Sequence, residues 1–178
     1  GNKDSFLPVA KHSLFSKYNW FLLQGPYMVN NNTNRRSWSY EISPNKFEHQ
    51  EPKNLINTFF NDEVFPQFKS KDIYIIGFSL GALVCYEFIC SMKQQLGAIF
   101  PISGFIRSND INLSPSQIRT PIVIGHGEND NIVPYERSLE AYKILKKKNA
   151  NVELITYKGH HNISIEMLEI ISKTIAAK

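Results

Sequence analysis

Cysteine is scarce in this sequence, and the two that occur are badly spaced for a disulfide bond. They are Cys85 and Cys90 in a chain of 178 residues. On the helix predicted for this region, a separation of five residues turns the two side chains to different faces, so they cannot easily bridge each other. We therefore expect free, buried thiols in a reducing compartment, which predicts a cytoplasmic location.

Long apolar runs are missing as well. No stretch approaches the roughly 20 residues that a helix needs to cross a bilayer, and the first residues show no signal-peptide pattern. The hydrophobic fraction is 42% and the charged fraction 20%, which is typical of a globular protein. We expect one domain over residues 1–178 and no stable insertion into a membrane.

Neither sign of charge dominates. The 20 Lys and Arg residues exceed the 16 Asp and Glu residues by 4, and the basic residues are scattered apart from Lys146–Lys148. We interpret that run as the last turn of a helix, where the helix dipole stabilises cations. The alternative is a phosphate- or membrane-binding patch. The sequence therefore predicts no nucleic-acid partner. It also has no His-x-x-x-His or cysteine-pair spacing, so we assign no metal site.

Short apolar runs alternate with longer amphipathic ones, and this rhythm predicts an α/β domain with a mostly parallel sheet. The predicted strands are Trp20–Leu23, Ile73–Ile76, Ala98–Ile102, Ile122–Ile124 and Val152–Tyr157. The predicted helices are Asn54–Phe60, Leu80–Lys93, Tyr135–Lys147 and Ile163–Ala176. The polar, Asn-rich stretch Tyr27–Pro52 is interpreted as a long loop, and residues 1–19 are given no assigned structure.

Reactive residues are expected just after the strands, because ligands of an open parallel sheet bind at the carboxyl ends of its strands. Gly77–Gly81, with the sequence Gly-Phe-Ser-Leu-Gly, stands at the first such place. A serine nucleophile must protrude from a tight strand-to-helix turn, and we expect Gly77 and Gly81 to clear space for Ser79 there. Chance alone gives the bare pattern in roughly one chain of this length in fifteen, so the serine needs partners to be convincing.

An acid and a base follow the serine in the order that this kind of fold requires. Asp130 lies in the loop after the strand Ile122–Ile124 and is the preferred acid, with Glu128 as an alternative and a plain polar turn as the non-functional interpretation. His126 is interpreted as structural, tying the acid loop by hydrogen bonds. The base is one of two adjacent histidines, His160 and His161, which cannot both point into one site.

Three segments together resemble the phospholipase/carboxylesterase branch of the α/β-hydrolases, which includes acyl-protein thioesterases and small bacterial carboxylesterases. They are Gly77–Gly81, His126–Pro134 and Tyr157–His161. The resemblance covers the chain from about Trp20 onward and implies an α/β-hydrolase fold, a mostly parallel sheet with helices on both faces. Its Tyr-x-Gly-x-His ending implies that the base is His161, completing a triad with Ser79 and Asp130.

The resemblance also implies an oxyanion hole and a substrate pocket. The N–H of Leu80 is implied as one oxyanion donor. The family's usual His-Gly-x-Gly loop is replaced here by a stretch containing Pro26, which has no N–H, so the second donor is expected to be Tyr27. Phe105, beside the family's Ser-Gly strand end, is predicted to line the substrate pocket. Trp38, in a loop expected to cover the pocket, is predicted to line it as well, with an aromatic that only anchors the loop as the equal alternative.

Taken together, the residues predict a cofactor-free serine hydrolase that cleaves carboxylic esters through an acyl-enzyme. Its partner is a small ester or acyl substrate, with a homodimer kept as an alternative to a monomer. Acyl-protein thioesterase and lysophospholipase activities remain alternatives, because the same triad serves all three. A non-catalytic binding protein on a hydrolase fold is the alternative of another class, and the presence of Ser, Asp and His together argues against it.

Overall fold

The computed structural model describes residues 2–177, apart from the side chain of Thr33. The chain divides into two compact units, an N-terminal unit of residues 1–64 and a C-terminal unit of residues 65–178. Each unit is described by itself. All three residues of the predicted triad lie in the C-terminal unit.

The C-terminal unit is built on a four-stranded parallel sheet whose strands lie side by side in the order in which they follow in the chain. The strands are β5 (Tyr74–Phe78), β6 (Ala98–Ile102), β7 (Ile122–Gly127) and β8 (Val152–Tyr157). The helices are α3 (Leu80–Glu87), α4 (Tyr135–Lys147) and α5 (Ile165–Ala176). Every residue of β6 and β7 is buried, so both faces of the sheet are covered at its centre, as in a parallel sheet with helical crossovers.

The register of the sheet brings the ends of the strands to one edge. Phe78 pairs with Ile102, and Gly127 pairs with Tyr157. Helix α3 packs against β5 and β6, and α4 packs against β7 and β8. The segments that follow β5, β7 and β8 therefore leave the sheet at the same edge, which is where the sequence places the serine, the acid and the base.

The N-terminal unit contains two small antiparallel hairpins where the sequence predicted a loop. Their strands are β1 (Tyr27–Val29) with β2 (Asn32–Ser37), and β3 (Glu41–Ser43) with β4 (Lys46–Phe47). Asn30 and Asn31 join the first pair with φ of 52° and 55°, and Asn45 in the second turn has φ of 61°. Asparagine tolerates this left-handed backbone, so the Asn-rich composition that suggested a loop supplies the turns of two hairpins.

Helix α2 (Gln50–Phe59) follows the hairpins and continues into a π-helical turn, Phe60–Val64. The helix begins four residues earlier than predicted. A short helix α1 (Leu7–Ala10) and 3₁₀ turns at Lys3–Phe6 and Ser13–Phe15 occupy the first residues, for which no structure was assigned. Further 3₁₀ turns lie at Ser70–Asp72, Ile89–Ser91 and Pro115–Gln117.

The prediction of a strand at Trp20–Leu23 is wrong. These residues form no strand ladder, and Phe21 and Leu23 are 46% and 38% exposed. Two of these residues pack by their aromatic rings instead: Trp20 lies edge-on to Phe15, and Phe21 lies edge-on to Phe59. A short apolar run can form a buried strand or an irregular segment that packs only by its side chains. The periodicity of the sequence does not distinguish these two structures.

The other predicted strands and helices are confirmed, with changes at their ends. Strand β6, helix α4 and strand β8 have the predicted bounds. The helix predicted over Leu80–Lys93 ends at Glu87 and is followed by the 3₁₀ turn Ile89–Ser91. Cys85 and Cys90 are free and buried, as predicted. Within residues 2–177, no helix is long and apolar enough to cross a membrane.

Candidate active site

Ser79 sits on a strained turn between β5 and α3. Its backbone has φ of 55° and ψ of −115°, a conformation that costs energy for any residue with a Cβ atom. The Ser79 N–H donates to the carbonyl of Ile102 at 2.8 Å, which fixes the turn to the end of the neighbouring strand. The serine is thereby raised at the edge of the sheet, immediately before the first turn of α3.

The two glycines that flank the serine have different roles. A Cβ atom on Gly77 would lie 2.3 Å from the carbonyl oxygen of Gly81 and 2.6 Å from Cys85 Sγ, so the helix can pass over the strand end only if residue 77 is glycine. A Cβ atom on Gly81 would meet no atom within 4 Å. The expected clearance role is therefore confirmed for Gly77 and wrong for Gly81, whose position faces open space.

Asp130 lies in the loop that follows β7, and its carboxylate is completely buried. Oδ1 accepts the backbone N–H groups of Ile132 and Val133, each at 2.9 Å. Burial alone would raise the pKa of Asp130, but hydrogen bonds from Val133, His161 and Ile132 outweigh it and lower the pKa to about 2. Asp130 is therefore a fixed, fully ionised acceptor at neutral pH.

His161 lies in the loop after β8 and connects the acid to the serine. Its Nδ1 is 2.8 Å from Asp130 Oδ2, and its Nε2 is 3.0 Å from Ser79 Oγ. An ionised carboxylate can only accept, so the proton of the ring lies on Nδ1 and Nε2 is left to accept the Ser79 hydroxyl. The His161 side chain is 18% exposed and Ser79 is partly exposed, whereas the Asp130 carboxylate is buried, so solvent reaches the serine side of this chain and not the acid.

Phe78 is a residue of the site that the sequence did not reveal. Its ring centroid lies 4.7 Å from that of His161, at an interplanar angle of 42°. The ring therefore limits the rotation of the imidazole while Asp130 fixes its tautomer. The sequence placed Phe78 only as a motif position next to the serine, and no pattern in the chain linked it to a histidine 83 positions later.

The acid loop and the base loop are joined by their backbones. The N–H of Glu128 donates to the Tyr157 carbonyl and that of Asn129 to the Gly159 carbonyl, both at 2.9 Å. A Cβ atom on Gly127 would lie 2.3 Å from the carbonyl oxygen of His160, so the two loops touch closely there. The loop that carries Asp130 is therefore held against the loop that carries His161.

The alternatives left open by the sequence are separated by these positions. His160 is exposed, and its Nδ1 donates to the carbonyl of Asn129 at 3.1 Å, so it ties the two loops, whereas the bond to Ser79 is made by His161. Glu128 is exposed, whereas Asp130 contacts the base.

His126 lies beneath the acid loop, fully buried. Its Nε2 donates to the Val133 carbonyl at 2.9 Å and its Nδ1 pairs with Ser138 Oγ at 2.7 Å. Nε2 is also 3.7 Å from Asp130 Oδ2. This is the tying role that the sequence predicted for His126.

The oxyanion and pocket residues remain predictions. Leu80 is the first residue of α3, where N–H groups have no acceptor within their own helix. Phe105 is partly exposed and follows Ser103 and Gly104 after β6. Tyr27 and Trp38 lie in the N-terminal unit, in β1 and just after β2. The Tyr27 hydroxyl donates to Glu51 Oε2 at 2.6 Å. In residues 2–177 no three His, Cys, Asp or Glu side chains are grouped so as to hold a metal ion.

A parallel sheet with a serine on a strained strand-to-helix turn defines an α/β-hydrolase fold, and known proteins agree with this class. The sequence model described as Phospholipase/Carboxylesterase matches residues 2–178. The chain belongs to the phospholipase/carboxylesterase family.

The relatives with similar sequences are named either acyl-protein thioesterases or carboxylesterases. Acyl-protein thioesterase 1 homolog 1 of Dictyostelium discoideum is 31% identical over 138 residues, 70% of this chain and 59% of the relative. Acyl-protein thioesterase 1 of Kluyveromyces lactis is 26% identical over 132 residues, 68% of this chain and 58% of the relative. Carboxylesterase SOBER1 of Arabidopsis thaliana is 25% identical over 182 residues, 93% of this chain and 79% of the relative. The alignments with the two thioesterases thus span less than three fifths of each relative's length.

Solved structures share the fold over almost the whole chain. Arabidopsis thaliana SOBER1 superposes with a TM-score of 0.82 at 21% identity, covering 99% of this chain and 93% of that one. The Bacillus cereus carboxylesterase superposes with a TM-score of 0.81 at 19% identity, covering 99% of this chain and 83% of that one. At these identities the likeness concerns the fold, and it confirms the predicted α/β-hydrolase architecture.

Proposed function

We propose that this chain is a serine hydrolase that cleaves carboxylic esters with Ser79 as nucleophile, His161 as base and Asp130 as the acid that orients the base. His161 Nε2 takes the proton of Ser79 as Oγ attacks the ester carbonyl, and the resulting imidazolium then protonates the leaving alcohol. The acyl-enzyme is hydrolysed by water that His161 deprotonates, which frees the carboxylic acid and regenerates Ser79. No cofactor takes part in this scheme.

The observation that carries the proposal is the continuous chain of hydrogen bonds from Asp130 through His161 to Ser79, at 2.8 Å and 3.0 Å. A buried carboxylate behind an imidazole stabilises the imidazolium that forms during attack. His126 also pairs with a serine hydroxyl, but it is buried and its other nitrogen is bonded to a backbone carbonyl, whereas His161 joins a buried carboxylate to its serine. Here one nitrogen is aimed at a serine whose backbone is strained to present it.

The negative charge that develops on the carbonyl oxygen needs donors already in place. We assign the N–H of Leu80 as the first donor, because it lies at the start of α3 directly after the nucleophile. From the sequence alone, we assign the N–H of Tyr27 as the second, because Pro26 has none to give.

The names of the relatives support an esterase or a thioesterase, and the family description adds phospholipase. Thioester cleavage is therefore the second candidate, and lysophospholipid cleavage the third. Oxygen esters, thioesters and lysolipids of matched acyl length, assayed side by side, separate them by their kcat/KM values. We expect turnover of the oxygen esters; a preference of more than about a hundredfold for one of the other classes would reassign the substrate.

The proposal is tested with a short-chain chromogenic ester and the Ser79→Ala variant. We expect the variant to lose at least about 10⁴-fold in kcat, because members of a triad act as a unit. Ser116→Ala is the matched control, since Ser116 lies on a 3₁₀ turn outside the hydrogen-bonded chain, and it should keep wild-type activity. A folded Ser79→Ala protein with most of its activity left would show that the assignment is wrong.

A further inference from the structure

Ser103 occupies the central position at the edge of the sheet where the site lies. It follows β6, the strand between β5 and β7. Its N–H donates to the Gly125 carbonyl at 2.8 Å, and the carbonyl of the preceding Ile102 accepts the Ser79 N–H at 2.8 Å. This one junction is therefore bonded both to the turn that holds the nucleophile and to the strand that leads to the acid.

The backbone of Ser103 is in a conformation that favours glycine. Its φ is 48°, and the residue is completely buried. A left-handed backbone costs a serine energy that a glycine at the same position would avoid. Glycine would therefore be more stable than serine in this backbone conformation. The serine adds one hydroxyl group on a methylene.

The Ser103 hydroxyl is buried without a hydrogen bond of ordinary geometry to any residue in the described part of the chain. It lies beside Asp130 and Tyr157, close enough to contribute to lowering the pKa of each, although burial raises the pKa of Tyr157 overall. The Tyr157 hydroxyl already donates to the Asn162 carbonyl at 2.6 Å, and the Asp130 carboxylate has no proton to give. Both neighbours can therefore only accept from Ser103.

We propose that Ser103 is a positioning residue of the hydrolase site, whose hydroxyl donates to the Asp130 carboxylate and holds it in line with the Nδ1–H of His161. Two backbone N–H groups fix one carboxylate oxygen, and His161 takes the other. The Ser103 hydroxyl, just after β6, restrains the remaining rotation of the carboxylate about its Cβ–Cγ bond. The inference rests on the proposed serine hydrolase activity.

The test compares Ser103→Ala and Ser103→Gly with wild type. Both variants lack the hydroxyl, but alanine keeps the strained backbone and glycine relieves it, so the two should differ in thermal stability and agree in activity. We expect kcat on the chromogenic ester to fall about tenfold in both, as for a lost hydrogen bond to a charged group, with KM within about twofold of wild type. The low-field proton resonance of the His161–Asp130 hydrogen bond should shift in both variants.

Tyr86→Phe is the matched control. The Tyr86 hydroxyl is also buried without a hydrogen-bond partner among residues 2–177, but it lies on α3 beside Cys85 and Cys90. Its removal should leave kcat and the low-field resonance as in wild type. If Ser103→Ala does not fold, Ser103→Gly alone tests whether the Ser103 hydroxyl positions Asp130.

The inference is overturned if Ser103→Gly or Ser103→Ala keeps wild-type kcat and an unshifted resonance while wild-type turnover still depends on Ser79. Ser103 would then serve packing or donate to the Tyr157 hydroxyl, and it would not position Asp130. If wild type shows no turnover that depends on Ser79, the proposed function fails instead. In that event the resonance alone still decides whether Ser103 positions Asp130, because it reports the hydrogen bond and not the reaction.

Discussion

Replacing Asp130 by Asn exchanges one oxygen for an NH₂ group, and the contacts of Asp130 define what this does. Oδ1 accepts two backbone N–H groups, so the amide oxygen of the asparagine takes that place. The NH₂ group then faces His161 Nδ1, which must accept instead of donate. The ring proton moves to Nε2, and Nε2 can no longer accept the proton of Ser79.

With the base in the wrong tautomer, we expect kcat of the Asp130→Asn variant to fall about 10⁴-fold. This corresponds to a loss of about 5 kcal/mol of transition-state stabilisation. Steady-state hydrolysis of the chromogenic ester measures it, with folding checked by circular dichroism. Glu128→Gln is the matched control, because Glu128 is an exposed acid two positions away in the same loop. That variant should keep wild-type kcat. An Asp130→Asn enzyme with more than about a tenth of wild-type kcat would show that Asp130 does not set the tautomer of His161.

Three further predictions concern stability. Gly77→Ala should destabilise the fold by several kcal/mol, because its Cβ atom would meet backbone at 2.3 Å, whereas Gly81→Ala should be neutral or stabilise by up to about 1 kcal/mol; urea titrations compare them. The lowered pKa of Asp130, about 2 against a usual 3.8, stabilises the protein above about pH 4, and this is lost as the pH falls toward 2. The difference in unfolding free energy between wild type and Asp130→Asn should therefore shrink by about 2 kcal/mol over that window, and a constant difference would contradict it. Tyr157→Phe removes the 2.6 Å bond to the Asn162 carbonyl and should cost about 1 kcal/mol in the same titrations; unchanged stability would show that the bond is not needed.

The sequence predicted the C-terminal unit well because its signals are local. Apolar β-branched runs followed by Gly, Ser or Asp mark buried strands and the loops behind them, and β6, α4 and β8 match to the residue. Chain order then places Ser79, Asp130 and His161 at one edge, and the structure brings the His161 ring within hydrogen-bond distance of the other two side chains.

Other features depend on contacts that no local pattern records. Trp20–Leu23 has the composition of a strand but packs by its side chains, and the Asn-rich stretch after it forms hairpins because asparagine accepts a left-handed backbone. The ring of Phe78 on His161, and the hydroxyl of Ser103 beside Asp130, join residues far apart in the chain. Gly81 shows the opposite error, since its motif position suggested a clash that the structure does not contain.

The most direct measurement is covalent labelling of the folded protein with a fluorophosphonate, followed by peptide mass spectrometry. The reagent reacts with a serine only if a neighbouring base activates it. We predict one adduct, on Ser79, whose formation slows strongly in His161→Ala and far less in His160→Ala, which loses only a bond between the two loops. An adduct on another serine, no adduct on folded protein, or equal labelling in the two histidine variants would contradict this prediction.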